Sequence, residues 1–179
     1  MTVPEAALRV LVTGAAGSGT STLAAALARE LGALHLEADD HFWVPGDPPY
    51  RHRRPPAERA ASLRAALDSA DTVVVAGSVV GWGDEIEHGF DLVVFLYLPT
   101  AVRLARLQQR EMQRFGRVDP AFLQWAADYD GQPAQGRSLA RHRAWLASRR
   151  CPVIELDGDQ SVAERLKRVR PHLRRRTLS

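Results

Sequence analysis

Two kinds of hydrophobic segment alternate along the chain. Short runs of apolar or β-branched residues fall at 8–12, 34–36, 72–76, 92–98 and 153–156. Between them lie stretches with apolar residues every three or four positions. Residues 21–31 carry Leu23, Leu27 and Leu31, and 57–70 carry Leu63 and Leu67; 102–114 and 162–173 follow the same spacing. The first kind predicts short strands, those at 72–76 and 92–98 buried on both faces, and the second predicts helices. Five strands separated by helical crossovers predict an α/β fold, a parallel sheet with helices on both sides, in a single domain over 1–179. No internal repeat or linker interrupts the alternation.

Composition narrows the picture. The 179 residues suffice for one domain with a core on both sheet faces. One cysteine, Cys151, excludes a disulfide framework and a cysteine-based zinc site, and suits a reducing, cytoplasmic setting. The longest apolar run, 92–98, is too short to cross a bilayer, and no signal-peptide pattern opens the sequence, so no membrane partner is expected. Of 24 Lys plus Arg only Lys167 is a lysine. Seven basic side chains and no acidic one fall in 165–179: Arg165, Lys167, Arg168, Arg170, Arg174, Arg175 and Arg176. Without them, 17 basic side chains face 21 acidic ones, so the formal charge of +3 is carried by a basic tail. That tail reads as a solvated helix end or as a patch for nucleic acid, and no nucleic-acid-binding signature accompanies it.

The junction after the first strand reads Gly14-Ala15-Ala16-Gly17-Ser18-Gly19-Thr20-Ser21-Thr22. Strand, glycine-rich turn and helix start stand in the order that a phosphate cradle needs. The glycines let backbone N–H groups point at an anion, and the helix N-terminus adds its positive end. Against the phosphate-loop pattern G-x-x-x-x-G-K-[ST], Gly14 and Gly19 have the right spacing and Ser21 supplies the hydroxyl for magnesium. Thr20 stands in the place of the lysine.

This strand, loop and helix resemble those of P-loop kinases acting on nucleoside monophosphates and other small molecules, such as adenylate, cytidylate and shikimate kinases. Threonine in the lysine position is similar to archaeal cytidylate kinases, where it is compatible with activity. The resemblance implies a three-layer fold with a five-stranded parallel sheet in the order 2-3-1-4-5. It also implies ATP and Mg2+ as cofactors, an acceptor-binding segment over about 41–70 and a mobile lid over about 115–137.

Two carboxylates, Asp39 and Asp40, follow the second strand, where ligands gather in open α/β sheets. One can ligate magnesium beside Ser21 and one can take the proton of an attacking hydroxyl. Asp39 is read as base or metal-side ligand with Asp40 in support, and the two can exchange roles. Several small-molecule P-loop kinases carry a similar acidic pair. Next come Trp43, Tyr50, Arg51 and Arg54, aromatic faces and guanidinium groups suited to a planar or anionic acceptor. The Phe-Trp-x-Pro piece at 42–45 is similar to bacterial proteins described as DNA topology modulation proteins or adenylate-kinase-like ATPases. Ser78 lies after the third strand, and Ala76 occupies a position where nucleoside monophosphate kinases usually have an aspartate. Asp84 and Glu85 sit on a glycine-rich loop expected to face the site. Arg106 and Arg110, seven and eleven residues after Pro99, match arginines that adenylate-kinase-like chains place over the adenine and on the phosphates. Arg141, with Arg137 and Arg143, opens the next helix as a lid arginine.

These residues point to a magnesium-dependent phosphotransferase moving the γ-phosphate of ATP to a small-molecule or nucleotide acceptor. Its catalytic groups are read as Asp39, Asp40, Arg106, Arg110 and Arg141, in a monomer or simple dimer. Two other readings stay open: a nucleotide-binding module with reduced catalysis, marked by Thr20 and Ala76, and a nucleic-acid accessory acting through the tail.

Overall fold

Alternate residues of each apolar run face opposite sides of one sheet, and each side has its own helical cover. In the computed structural model, residues 7–46, 50–131 and 136–173 are described. Arg174, Arg175 and Arg176 of the basic tail and residues 132–135 of the lid segment lie outside them. The strands β1 (Leu8–Gly14), β2 (Leu34–Glu37), β3 (Thr72–Ala76), β4 (Leu92–Tyr97) and β5 (Val153–Asp157) run parallel in the order β2-β3-β1-β4-β5. This is the order that the resemblance implied. Val12 pairs with Ala76 and Gly14 with Leu96, so the loop after β1 leaves the middle of the sheet.

On one face Val10, Val12, Val74, Val94 and Leu96 pack with α1 (Thr20–Leu31) and α8 (Val162–Leu173). On the other, Leu11, Val73, Val75, Val93 and Phe95 pack with α3 (Pro56–Leu67) and α7 (Leu139–Ala147). Each fully buried Val, Leu or Phe contributes about 2 kcal/mol through removal from water. Both layers together fix the carboxyl ends of the strands as one rim.

Four further helices shape that rim, and the sequence pattern shows three of them poorly. The expected loop after β2 begins with a helical turn, α2 (Ala38–Phe42), and is pinned by an antiparallel bridge between Trp43 and Arg53. Asp84 and Glu85 belong to another short turn, α4 (Asp84–Glu87), rather than to an open loop. The long α5 (Thr100–Phe115) is followed by α6 (Pro120–Ala127), started by Pro120 and by the Asp119 carboxylate accepting from the Ala121 N–H at 2.9 Å. Turns of four to eight residues are too short for a 3.6-residue period to emerge. No helix among the described residues is long and apolar enough to cross a membrane.

Candidate active site

The phosphate loop is held by backbone geometry. From Gly14 the chain turns through Ala15, Ala16, Gly17, Ser18 and Gly19 before α1 begins at Thr20. Gly17 and Gly19 have φ of 83° and 93°, a region that side chains disfavour. Gly14 is required by space instead, since a Cβ there would sit 2.5 Å from the Leu96 carbonyl oxygen and 2.6 Å from Ser18 Oγ. The Ser18 N–H and hydroxyl both donate to the Ala15 carbonyl, at 3.1 and 2.7 Å, and curl the loop. No side chain caps α1, so its first-turn N–H groups are left for an anion, with the helix dipole behind them. Thr20 is half-buried there, and Ser21 and Thr22 are exposed.

The carboxylate that meets this loop is Glu37, the last residue of β2. Ser21 Oγ donates to Glu37 Oε2 at 3.0 Å, and His35 Nε2 lies 3.2 Å from Glu37 Oε1. Burial raises the Glu37 pKa above the usual glutamate value; the charges of Asp39 and Asp40 add to the rise, against the Ser21 hydrogen bond and His35. Asp39 and Asp40 stand exposed on α2. A partly desolvated carboxylate beside a hydroxyl and two like charges is a place that a divalent cation would stabilise. Among the described residues no three His, Cys, Asp or Glu side chains form a metal cage. Magnesium needs none, because one or two carboxylates, waters and substrate phosphates complete its shell.

A cleft of about 510 Å³ runs along the loop, bordered by Gly19, Thr20, Arg106, Arg110, Asp159 and Arg165. Arg106 is ion-paired with Asp159, and Arg110 Nη2 lies 3.3 Å from Glu111 Oε1. Arg165 belongs by sequence to the basic tail, yet it is only 3% exposed. Its Nη1 donates to the Ser18 carbonyl at 3.0 Å and its Nη2 to the Gly158 carbonyl at 3.3 Å. It is therefore no part of a solvated helix face.

Beneath the loop lies a buried polar network. Arg103 is fully buried and donates to the carbonyls of Leu98 (3.1 Å), Ala16 (3.3 Å) and Ala126 (3.0 Å) and to Thr100 Oγ1 (3.0 Å), with Asp130 at 3.4 Å. His142 bridges Thr13 Oγ1, 3.1 Å from Nε2, and the Tyr129 hydroxyl, 2.8 Å from Nδ1. Burial lowers the His142 pKa to about 4, so the ring is neutral near pH 7. The segment after α5 is thus joined to the phosphate loop from behind. Arg137 borders a small cavity with Ala15, Ala16 and Tyr129. Arg141 instead stands exposed at the start of α7, its guanidinium on the Gly136 carbonyl.

The expected acceptor side is an aromatic and arginine cluster. Phe42 and Trp43 meet edge to face at 4.9 Å, and Trp43 meets Tyr50 at 6.0 Å. The Arg59 guanidinium lies 5.0 Å from the Phe42 ring and 5.1 Å from the Trp82 ring, and donates to the Gly81 carbonyl at 3.0 Å. Arg53 sits 5.8 Å from Phe42 and 5.7 Å from Trp43. Arg54 is half-buried with no hydrogen-bond partner at Nε, while Arg51 is exposed. Ser78 is buried after β3, its Oγ 3.5 Å from the Val80 N–H.

The structure therefore brings the loop, Ser21, Arg106 and Arg110 around one cleft and gathers Trp43 and Tyr50 in a second cluster. Arg141 joins neither. Glu37, Arg59, Trp82, Arg103 and Arg165 are the residues that sequence reasoning missed. Glu37 had a usable signal as the last residue of a strand aimed at the rim; the others differ from solvated or core residues only by what they touch.

Residues 10–118 match AAA_18, an AAA domain family. A Bacillus subtilis (strain 168) protein, "Uncharacterized protein YqaC", is 39% identical over 172 residues, covering 90% of this chain and 95% of that protein. The fold is similar to that of shikimate kinase from Acinetobacter baumannii in complex with shikimate, with a TM-score of 0.64 and 16% identity over 96% of each chain. It is also similar to a gluconokinase from Sinorhizobium meliloti 1021, with a TM-score of 0.59 and 21% identity over 94% of this chain and 93% of that one.

Proposed function

The chain belongs to the AAA_18 family of AAA domains, and from that premise we propose that it is a magnesium-dependent phosphotransferase moving the γ-phosphate of ATP to a small acceptor. The observation that carries this reading is the contact of Ser21 with Glu37 at the open first turn of α1, with Asp39 two residues on. Ser21 and Glu37 would hold magnesium, together with Asp39 or through water. The ion supplies charge neutralisation on the phosphates when bound. The Gly14–Thr22 backbone cradles the phosphates. Asp39 takes the proton of the attacking group with Asp40 in support, or the two exchange these roles. Arg106 and Arg110 stabilise charge on the phosphoryl oxygens, and Arg141 joins them if the lid segment closes. Trp43, Tyr50, Arg51, Arg54 and Ser78 receive the acceptor. The likeness to shikimate kinase and gluconokinase supports hydroxy acids and sugars as acceptors to try beside nucleoside monophosphates.

Thr20 and the fully buried Ala76 favour a second reading, a nucleotide-binding module without turnover. Calorimetry with Mg-ATP, followed by ADP release across nucleoside monophosphates, shikimate-like acids and sugars, tests both. Binding with acceptor-dependent ADP release supports the phosphotransferase. Binding without release for any acceptor leaves the second reading, and absence of binding rejects both.

A further inference from the structure

A phosphate loop without its lysine needs positive charge from elsewhere, and the structure supplies some at Gly19. A Cβ built on Gly19 would lie 3.0 Å from Arg165 Nη1 and 4.0 Å from Arg106 Nη1, so two guanidinium groups converge on the residue before Thr20. Arg106 has Asp159 as its ion-pair partner. Arg165 has no carboxylate at ion-pair distance among the described residues, and its buried Nε has no hydrogen-bond partner. Burial and the Arg106 charge lower its pKa, against Asp159, as expected of a cation in uncompensated surroundings. A buried charge of this kind is costly unless an anion completes the site.

The hydrogen bond from Arg165 to the Ser18 carbonyl gives that charge a direction. The Ser18 carbonyl and the Gly19 N–H belong to one peptide unit, in which a trans bond points them opposite ways. A cation on the oxygen polarises the unit and strengthens the Gly19 N–H as a donor to an anion in the loop. We propose that Arg165 is a positioning residue that replaces the charge missing at Thr20 and tunes the loop for a nucleotide's polyphosphate. The inference rests on the nucleotide-binding part of the proposed function and goes beyond it in assigning a role to α8.

Calorimetry with ATP and with adenosine tests it on the full chain. Arg165→Met should weaken ATP binding about tenfold and leave adenosine binding unchanged, the scale of one charge-assisted contact. Arg165→Lys should keep most of the ATP affinity, and adding Thr20→Lys to Arg165→Met should restore it. A purely structural Arg165 would weaken ATP and adenosine equally and would not respond to Thr20→Lys; either result overturns the inference. Should Arg165→Met fail to fold, the wild-type Arg165 Nε–H resonance gives the same answer. It should shift with inorganic tripolyphosphate and not with adenosine, and a resonance unmoved by tripolyphosphate overturns the inference. Wild-type protein that binds ATP normally while these signals fail rejects the role of Arg165 alone. Wild-type protein that binds neither ATP nor tripolyphosphate rejects the phosphotransferase reading and the inference together.

Discussion

The half of the site proposed to bind nucleotide is made largely of backbone, and the half proposed to bind the acceptor largely of side chains. In the first, Gly14, Gly17 and Gly19 shape the loop, and Arg103 and Arg165 hold it through carbonyl groups. In the second, the exposed Arg53 and the half-buried Arg59 lie over the rings of Phe42, Trp43 and Trp82. Backbone geometry is bound to the fold, so the first half has little freedom to vary. Partly exposed side chains can change without disturbing the sheet, so the second half has the greater freedom to fit one acceptor or another.

The strongest test of this division is Asp39→Asn. It should lower kcat about 10²- to 10⁴-fold, the usual worth of a general base, while affinity for ATP measured without magnesium stays near wild type. A parallel loss of ATP affinity would show that the halves are not separable. Gly14→Ala should strike the fold itself, because its Cβ meets backbone at Leu96. A loss of about 3 kcal/mol in urea unfolding is expected, together with impaired ATP binding. Arg59→Ala should act on the other half alone, raising the acceptor KM about tenfold with ATP affinity and melting temperature nearly unchanged.

A different kind of effect, on stability rather than binding, concerns His142, behind the loop. Its pKa of about 4 in the folded protein lies below the unfolded value of about 6.5. As pH falls below about 6.5 the unfolded chain takes up the proton first, so stability present at neutral pH is lost down to about 4. The slope reaches about 1.4 kcal/mol per pH unit. Urea unfolding of wild type and His142→Gln at pH 7 and pH 5 should show that the variant lacks this component.

What the sequence made legible follows the same division. Unbroken apolar runs at 72–76 and 92–98, with helical spacing between the strands, were enough for the sheet, and the glycine spacing was enough for the loop, because both are local patterns. Helices α2, α4 and α6 are too short to print a period. Arg165 and Arg59 are illegible for another reason: a guanidinium on a helix looks the same in sequence whether it faces water, a carbonyl or two aromatic rings. Arg103 shows the point most sharply. It shares a helix face with Arg106 and Arg110, yet it alone is fully buried, spent on carbonyls of the loop and of α6.

The hydrogen bond between Arg165 and Ser18 spans 147 positions of chain. A ribosome therefore makes the phosphate loop well before the side chain that braces it. Until α8 has emerged and docked, the nascent loop has its glycines but not its brace. Such distant closure slows folding. If the proposed nucleotide binding holds, it also ties full affinity to the docking of α8, so ATP would stabilise chains with α8 docked in preference to those without it.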